Sequence, residues 1–284
     1  MQEKWAHRAD LAESAINERH ATRLWGIPRT NLAVVSWPPT TKERLFVHWH
    51  YWWQAHYLDC QVDAALRRAT RARRTRIRDT ITGIRIRNLS KLTKNNYYDD
   101  KAWLALAMDR AGHLDKVSST KALAPLEENI VAGIDSLTGV LPWRTGETFY
   151  NVPSNGPAAI MMARTGRLAE ARKVTDWMFD HLLNDDPEIV ENLHPYCQGV
   201  ALGACLEISL ALREQAGFDH TDEIVDVHDA ERADEAMIYL TRIRGLVQAV
   251  AVHMATPAGV IDWDTGDGDG GLFKGILVRY LADV

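Results

Sequence analysis

Asn95-Asn96-Tyr97-Tyr98-Asp99-Asp100-Lys101-Ala102-Trp103 is the stretch from which the rest of the chain is read. Polar and aromatic residues give way to two adjacent aspartates and then to Trp103, Leu104, Ala107 and Ala111, an apolar stripe at helical spacing closed by Gly112. One aspartate here has an ordinary explanation: it caps or lines a first helical turn, where free N–H groups and the helix dipole stabilise it by roughly 0.5–2 kcal/mol. A second needs a further reason, because adjacent carboxylates repel and Tyr97, Tyr98 and Trp103 would exclude water. Repulsion and desolvation favour a proton on one carboxyl, while the helix start favours charge on the other. One acid and one base is what glycoside hydrolysis requires, and neighbouring side chains can hold their carboxyls roughly 5–5.5 Å apart, the separation of a retaining mechanism. Capping and catalysis both stay open on this pattern alone.

Outward from this helix, helical periodicity runs from end to end. Trp5, Leu11, Ala12, Ala15, Ile16 and His20 predict a first helix ended by Gly26-Ile27-Pro28, and Trp37-Pro38-Pro39-Thr40-Thr41 predicts a loop leading to a new N-cap. From about Lys42 to Ala72 no Gly or Pro intervenes, and Phe46, Trp49, Trp53, His56, Tyr57, Cys60 and Ala64 recur at helical spacing, so one long helical segment is expected. Further helices are expected near 115–134, 155–165, 167–183, 196–216 and 229–254, with a last one from about Phe273. Strand-like alternation is scarce. Loops rich in Gly, Pro, Asn and Asp recur between alternate helices, at Leu137 to Pro157, Asn184 to Pro195 and Thr256 to Gly271. Helix pairs joined alternately by short and long connections fit a single all-α domain over residues 1–284, a barrel of antiparallel α-hairpins with its long loops around one mouth. A solenoid of the same helices would show a fixed repeat period, and none is found.

With 284 residues, 46% hydrophobic and 25% charged, the chain is large enough for a sizeable core. A net charge of −5 and pI near 6.1 give no global reason to expect nucleic acid or an anionic membrane as partner. Locally the balance differs: nine arginines between Arg67 and Arg87 face one acid, Asp79, a pattern read as a solvated helical face, with an anion-binding patch as the alternative. The N-terminus is charged where a signal peptide needs an apolar core, and no run of about 18 apolar residues occurs, so a cytoplasmic chain with no membrane span is expected. Cys60, Cys197 and Cys205 form no CxxC pair. Cys197 and Cys205, eight apart on a helix, would lie about 12 Å apart, too far for a disulfide, so reduced and mostly buried thiols are expected.

Ten tryptophans are the second clue, because flat aromatic faces stack on pyranose rings. Trp49, Trp53, Trp103 and Trp177 sit at core-like helical spacing, whereas Trp143, among Pro142, Arg144 and Gly146, and Trp263 fall in or beside the mouth loops. His48, His50 and His56 do not make a metal site, since residues two apart on a helix face different ways. Asp262, Asp264, Asp267 and Asp269 with interleaved glycines look like a calcium loop but lack the closing glutamate of an EF-hand. No metal or organic cofactor is expected.

Four segments together resemble glycoside hydrolase family 76, the endo-α-1,6-mannanases. Asn95 to Trp103 looks like the family's Asp-Asp signature; Tyr150-Asn151-Val152-Pro153-Ser154-Asn155-Gly156 resembles its asparagine-containing segment. His194-Pro195-Tyr196-Cys197-Gln198-Gly199-Val200-Ala201-Leu202-Gly203 resembles its Tyr-x-Gln-Gly-Val stretch, and Gly271-Leu272-Phe273-Lys274-Gly275-Ile276-Leu277-Val278-Arg279-Tyr280-Leu281-Ala282 its Phe-Lys-Gly-Ile segment. The resemblance implies an (α/α)6 barrel and a retaining hydrolase of α-1,6-linked mannan. With about ten helices counted, the last hairpin of six is expected to be absent. Carried over by position, Asp99 would be the nucleophile and Asp100 the acid/base, an order the residues alone do not give. Tyr98, Asn151, Asn155, Tyr196 and Gln198 would line a sugar groove, with Trp143 a stacking platform. A non-catalytic sugar-binding relative of the same fold is the alternative function.

Overall fold

The computed structural model describes residues 2–114, 120–183, 194–216, 227–262 and 268–284. The chain divides into two compact units, Met1–Ala132 and Gly133–Val284. In the first, helices α1 (Gln2–Arg19), α2 (Thr41–Arg44), α3 (Tyr51–Arg67), α4 (Arg71–Arg87), α5 (Tyr98–Gly112) and α6 (Thr120–Val131) accompany a two-stranded hairpin, β1 (Ala21–Thr22) with β2 (Leu32–Ala33). Helix α3 packs on α5, its next neighbour but one, while α4 covers α3 and α6 covers α5.

The second unit repeats the scheme with α7 (Val152–Arg164), α8 (Leu168–His181), α9 (Pro195–Gln215), α10 (Val227–His253) and α11 (Gly270–Asp283). Here α7 packs on α9 and α9 on α11, with α8 and α10 outside them. Inner helices are buried nearly all round: α5 from Lys101 to Met108, and α9 from Cys197 to Cys205. That explains the composition of α9. Among the described helices it alone is long and apolar enough to cross a membrane, at mean hydropathy 1.3, and 72% of that window lies inside the protein. Glycines permit the close approach. A Cβ on Gly156 of α7 would come within 2.3 Å of Val200, and one on Gly199 within 2.9 Å of the Leu277 backbone in α11.

Several expected boundaries move. The first helix stops at Arg19 rather than at Gly26, because residues 21–33 form the hairpin, held by Gln54 of α3, whose amide oxygen accepts from Ala33 N–H at 2.9 Å and whose Nε2 donates to the Ala33 carbonyl at 2.8 Å. The long helix expected over 42–72 is three helices. Thr40 and Glu43 form a capping box that starts α2, but Phe46 and His50 then take left-handed φ values of 53° and 44°. Buried Phe46 is fixed there, its carbonyl accepting Nε–H of Arg87 at 2.7 Å. Thr70 then caps α4, its hydroxyl accepting Arg73 N–H at 3.2 Å. Helix α7 starts at Val152, before the expected 155, since Pro153 lies in the first turn, where no backbone donor is required.

The arginine-rich segment is only in part a solvated face: Arg73 is buried and, with Arg67, Arg68 and Arg76, pairs with Asp10 and Glu13 of α1. Cys60 is exposed rather than buried, whereas Cys197 and Cys205 lie in the core of α9, where burial pushes the Cys205 thiol up to about 12.

Candidate functional site

The aspartate pair is built from the loop upward. Asn88, buried at the end of α4, donates through Nδ2 to the carbonyls of Lys91 at 2.7 Å and Lys94 at 3.2 Å, and the Tyr51 hydroxyl donates to the Leu92 carbonyl at 2.7 Å. This fixes the loop that delivers Asn95. Its Oδ1 accepts the Tyr97 N–H at 2.8 Å, an Asx turn, and its Nδ2 donates to Asp100 Oδ2 at 2.6 Å. Tyr97 is the N-cap of α5 and makes no side-chain cap, so neither aspartate is the cap; both lie in the first turn. Asp99 Oδ1 accepts the Asp100 N–H at 2.9 Å. Both carboxylates are half-buried, each with one oxygen oriented, at the end of a helix whose dipole favours negative charge.

Lys101, the next residue, was not singled out by sequence. It is 2% exposed, donates to Asn129 Oδ1 of α6 at 2.8 Å, and its ammonium lies 3.8 Å from the centre of the Tyr98 ring. Burial lowers its pKa to about 8, against the attraction of Asp100 and Asp99. Tyr98 is itself buried, so its ring serves as the floor under this cation. The Tyr51 phenol is pushed well above its ordinary range by burial and then by the negative charge of Asp100. On the neighbouring turn Trp103 is buried against His56, ring centres 4.5 Å apart.

In the second unit, Asn151 and Asn155 hold backbone. Asn151 caps α7, accepting Ser154 N–H at 3.2 Å. Asn155 is fully buried; its Oδ1 accepts Leu141 N–H at 2.8 Å, and its Nδ2 donates to the carbonyls of Leu141 at 2.9 Å and Asn151 at 2.8 Å. These asparagines thus fix the segment that carries Trp143, which is half-buried, with its backbone N–H donating to the Phe149 carbonyl at 2.7 Å and its ring edge-on to exposed Phe149 at 6.2 Å. Tyr196, half-buried in the first turn of α9, stacks on Phe273 of α11 with ring centres 4.3 Å apart, and His194 leans on Phe273 at 5.3 Å. Gln198 is buried at the α9 face. Phe149 and Phe273 complete these aromatic surfaces; only their positions beside Trp143 and Tyr196 in space reveal it.

No group of three or more His, Cys, Asp or Glu able to hold a metal ion occurs among the described residues. Trp263, Asp264 and Asp267 of the calcium-like stretch lie outside the described residues, as does most of the loop from Asn184 to Pro195.

No family model and no curated protein matches the chain. Solved structures do. The Lin0763 protein from Listeria innocua superposes with a TM-score of 0.78 at 23% identity, over 98% of this chain and 79% of that one. The GH76A α-1,6-mannanase from Salegentibacter sp. HEL1_6 does so with a TM-score of 0.78 at 24% identity, over 98% of this chain and 80% of that one. An inactive variant of that mannanase, with two adjacent aspartates changed to asparagine and α-1,6-mannotriose bound, gives a TM-score of 0.76 at 23% identity, over 98% of this chain and 80% of that one. The (α/α)-barrel class expected from the sequence stands on these likenesses, and the chain has the all-α fold of the glycoside hydrolase family 76 α-1,6-mannanases.

Proposed function

We propose that this chain is a glycosidase that cleaves α-1,6-linked mannose chains with Asp99 as nucleophile and Asp100 as acid/base. The observation that carries this reading is the tandem pair in the first turn of inner helix α5, each carboxylate oriented by a hydrogen bond and both attracting the buried ammonium of Lys101. Support comes from the likeness to a mannanase whose inactive variants are changed at two adjacent aspartates. The helix start stabilises the charge Asp99 needs to attack the anomeric carbon. As that bond forms, the bond to the leaving oxygen breaks and Asp100 supplies its proton. Asp100 then takes a proton from water, which displaces Asp99 and returns both carboxyls to their starting states. The net configuration is retained.

Trp143 and Tyr196 offer ring faces for pyranose C–H surfaces, Tyr196 backed by Phe273. Asn151 and Asn155 act behind the surface, holding backbone in place, and Gln198 is buried in α9. The preferred partner is an α-mannan oligosaccharide or polysaccharide. Incubation with linear α-1,6-mannooligosaccharides, with products followed by size and by proton NMR, is expected to give shorter oligosaccharides released first as the α-anomer. No cleavage overturns the reading; release of the β-anomer overturns the nucleophile assignment.

A further inference from the structure

The nine arginines between positions 67 and 87 separate into two sets. Arg67, Arg68, Arg73 and Arg76 share Asp10 and Glu13 of α1, and Arg87 lies over the Trp49 ring at 5.0 Å. The remaining four, Arg71, Arg74, Arg78 and Arg85, stand at i, i+3, i+7 and i+14, which puts them on one face of α4 over about 21 Å. Ile77, Ile81 and Ile84 take the buried side. Arg71, Arg78 and Arg85 are exposed and Arg74 half-buried. Arg78 donates to Thr75 Oγ1 at 3.2 Å; Arg71, Arg74 and Arg85 have no acidic partner among the described residues.

A merely solvated face does not call for this arrangement. Like charges three and four apart repel, and the first turn of α4 carries arginines and no acid, against its dipole. Every cation of the segment is arginine and none lysine, the choice suited to forked hydrogen bonds with oxyanions. At the N-terminal end of the stripe a cleft of about 760 Å³ opens beside the hairpin, lined by Thr22, Arg23, Asn31, Arg71, Thr75 and Arg76, with Asp79 its one acid. Cations and hydroxyls converge there on a space large enough for a substituted sugar.

We propose that the outer face of α4 and this cleft bind sulfate or phosphate ester groups carried on a polysaccharide chain. That the bearer is a polysaccharide rests on the mannan reading above. The stripe has no apolar residue to insert into a bilayer, and no aromatic between 67 and 87 to stack on bases. The cleft lies at the start of α4 and the stripe runs along its outer face, whereas the aspartate pair belongs to α5, beyond the far end of α4, so binding here would hold a chain without occupying the hydrolytic residues.

The test uses the full chain on immobilised dextran sulfate, phosphorylated dextran and unmodified dextran. Although its net charge is −5, the wild type is expected to be retained on one or both charged dextrans and not on the neutral one, and to elute as salt rises. The relative retention on the two identifies the ester. The triple variant Arg71→Gln, Arg74→Gln, Arg85→Gln is expected to bind about tenfold or more weakly, with an unchanged or higher Tm. A control with the same loss of charge elsewhere, Lys173→Gln, Arg213→Gln, Arg244→Gln, is expected to stay within about twofold of wild type. Passage of the wild type through both charged columns overturns the proposal, as does an equal loss in the control. Binding to an oligonucleotide or to anionic vesicles in place of the charged dextrans does so too. Hydrolysis of neutral mannooligosaccharides should be the same in wild type and triple variant, and a chain without hydrolytic activity leaves the retention experiment fully readable.

Discussion

Helix α4 opens with Arg71, Arg73 and Arg74 and no acid in its first turn, whereas α5 opens with Asp99 and Asp100. The dipole opposes the first arrangement and favours the second. At α4 the fold supplies the missing acids from outside, Asp10 and Glu13 of α1, and holds Arg73 buried between them. At α5 the fold adds a base from within, burying Lys101 against Tyr98 and Asn129 beside a pair of first-turn carboxylates, of which one alone would suffice to complement the helix dipole. In both places charge exceeds what starting a helix needs. On the proposed function the surplus at α5 serves chemistry on a sugar, whereas the surplus at α4 faces solvent.

The largest stability effect is expected at Lys101. Its pKa of about 8 in the folded protein lies below its ordinary 10.5, so between those values the unfolded chain holds more protons and stability rises with pH. The rise is about 3 kcal/mol, complete above pH 10.5 and lost as pH falls through 8. Urea titrations across this window should show it in wild type and not in Lys101→Met; parallel pH profiles would break the comparison, because Lys101 would then be no buried charge.

Arg73→Met comes next. It is expected to cost about 2 kcal/mol by urea denaturation at neutral pH, below the loss for a fully buried pair because Asp10 is partly exposed and Glu13 keeps Arg67 and Arg76. The smallest effect is at the α4 cap, where Thr70→Ala removes the hydroxyl that accepts Arg73 N–H and is expected to lower stability by about 1 kcal/mol. An unchanged midpoint in either variant would mean that the start of α4 does not depend on these partners.

Most of the helices were legible because their apolar residues follow one period over long runs. The breaks within 42–72 were not. Phe46 and His50 adopt left-handed backbone without being glycine, and what holds Phe46 there is Arg87, forty-one residues on. Thr70 was the one local signal, and the uninterrupted helix formers around it masked it. At the site, the tandem aspartates were readable from their excess of charge, but Lys101 was not, since its meaning comes from Asn129 on another helix. Asn151 and Asn155 carried a family pattern whose visible result here is backbone support, with Asn155 spending both polar atoms on Leu141. Phe273 under Tyr196 likewise follows from the packing of α9 on α11.

The most direct measurement compares wild type, Asp99→Asn and Asp100→Asn for turnover of linear α-1,6-mannooligosaccharides. Asparagine keeps an oxygen to accept the Asp100 N–H at position 99 and the Asn95 amide at position 100, so each variant should fold as wild type does. The account predicts that wild type cleaves and that each variant loses about 10³-fold or more in kcat, with Tm nearly unchanged. Undiminished cleavage by either folded variant would contradict it.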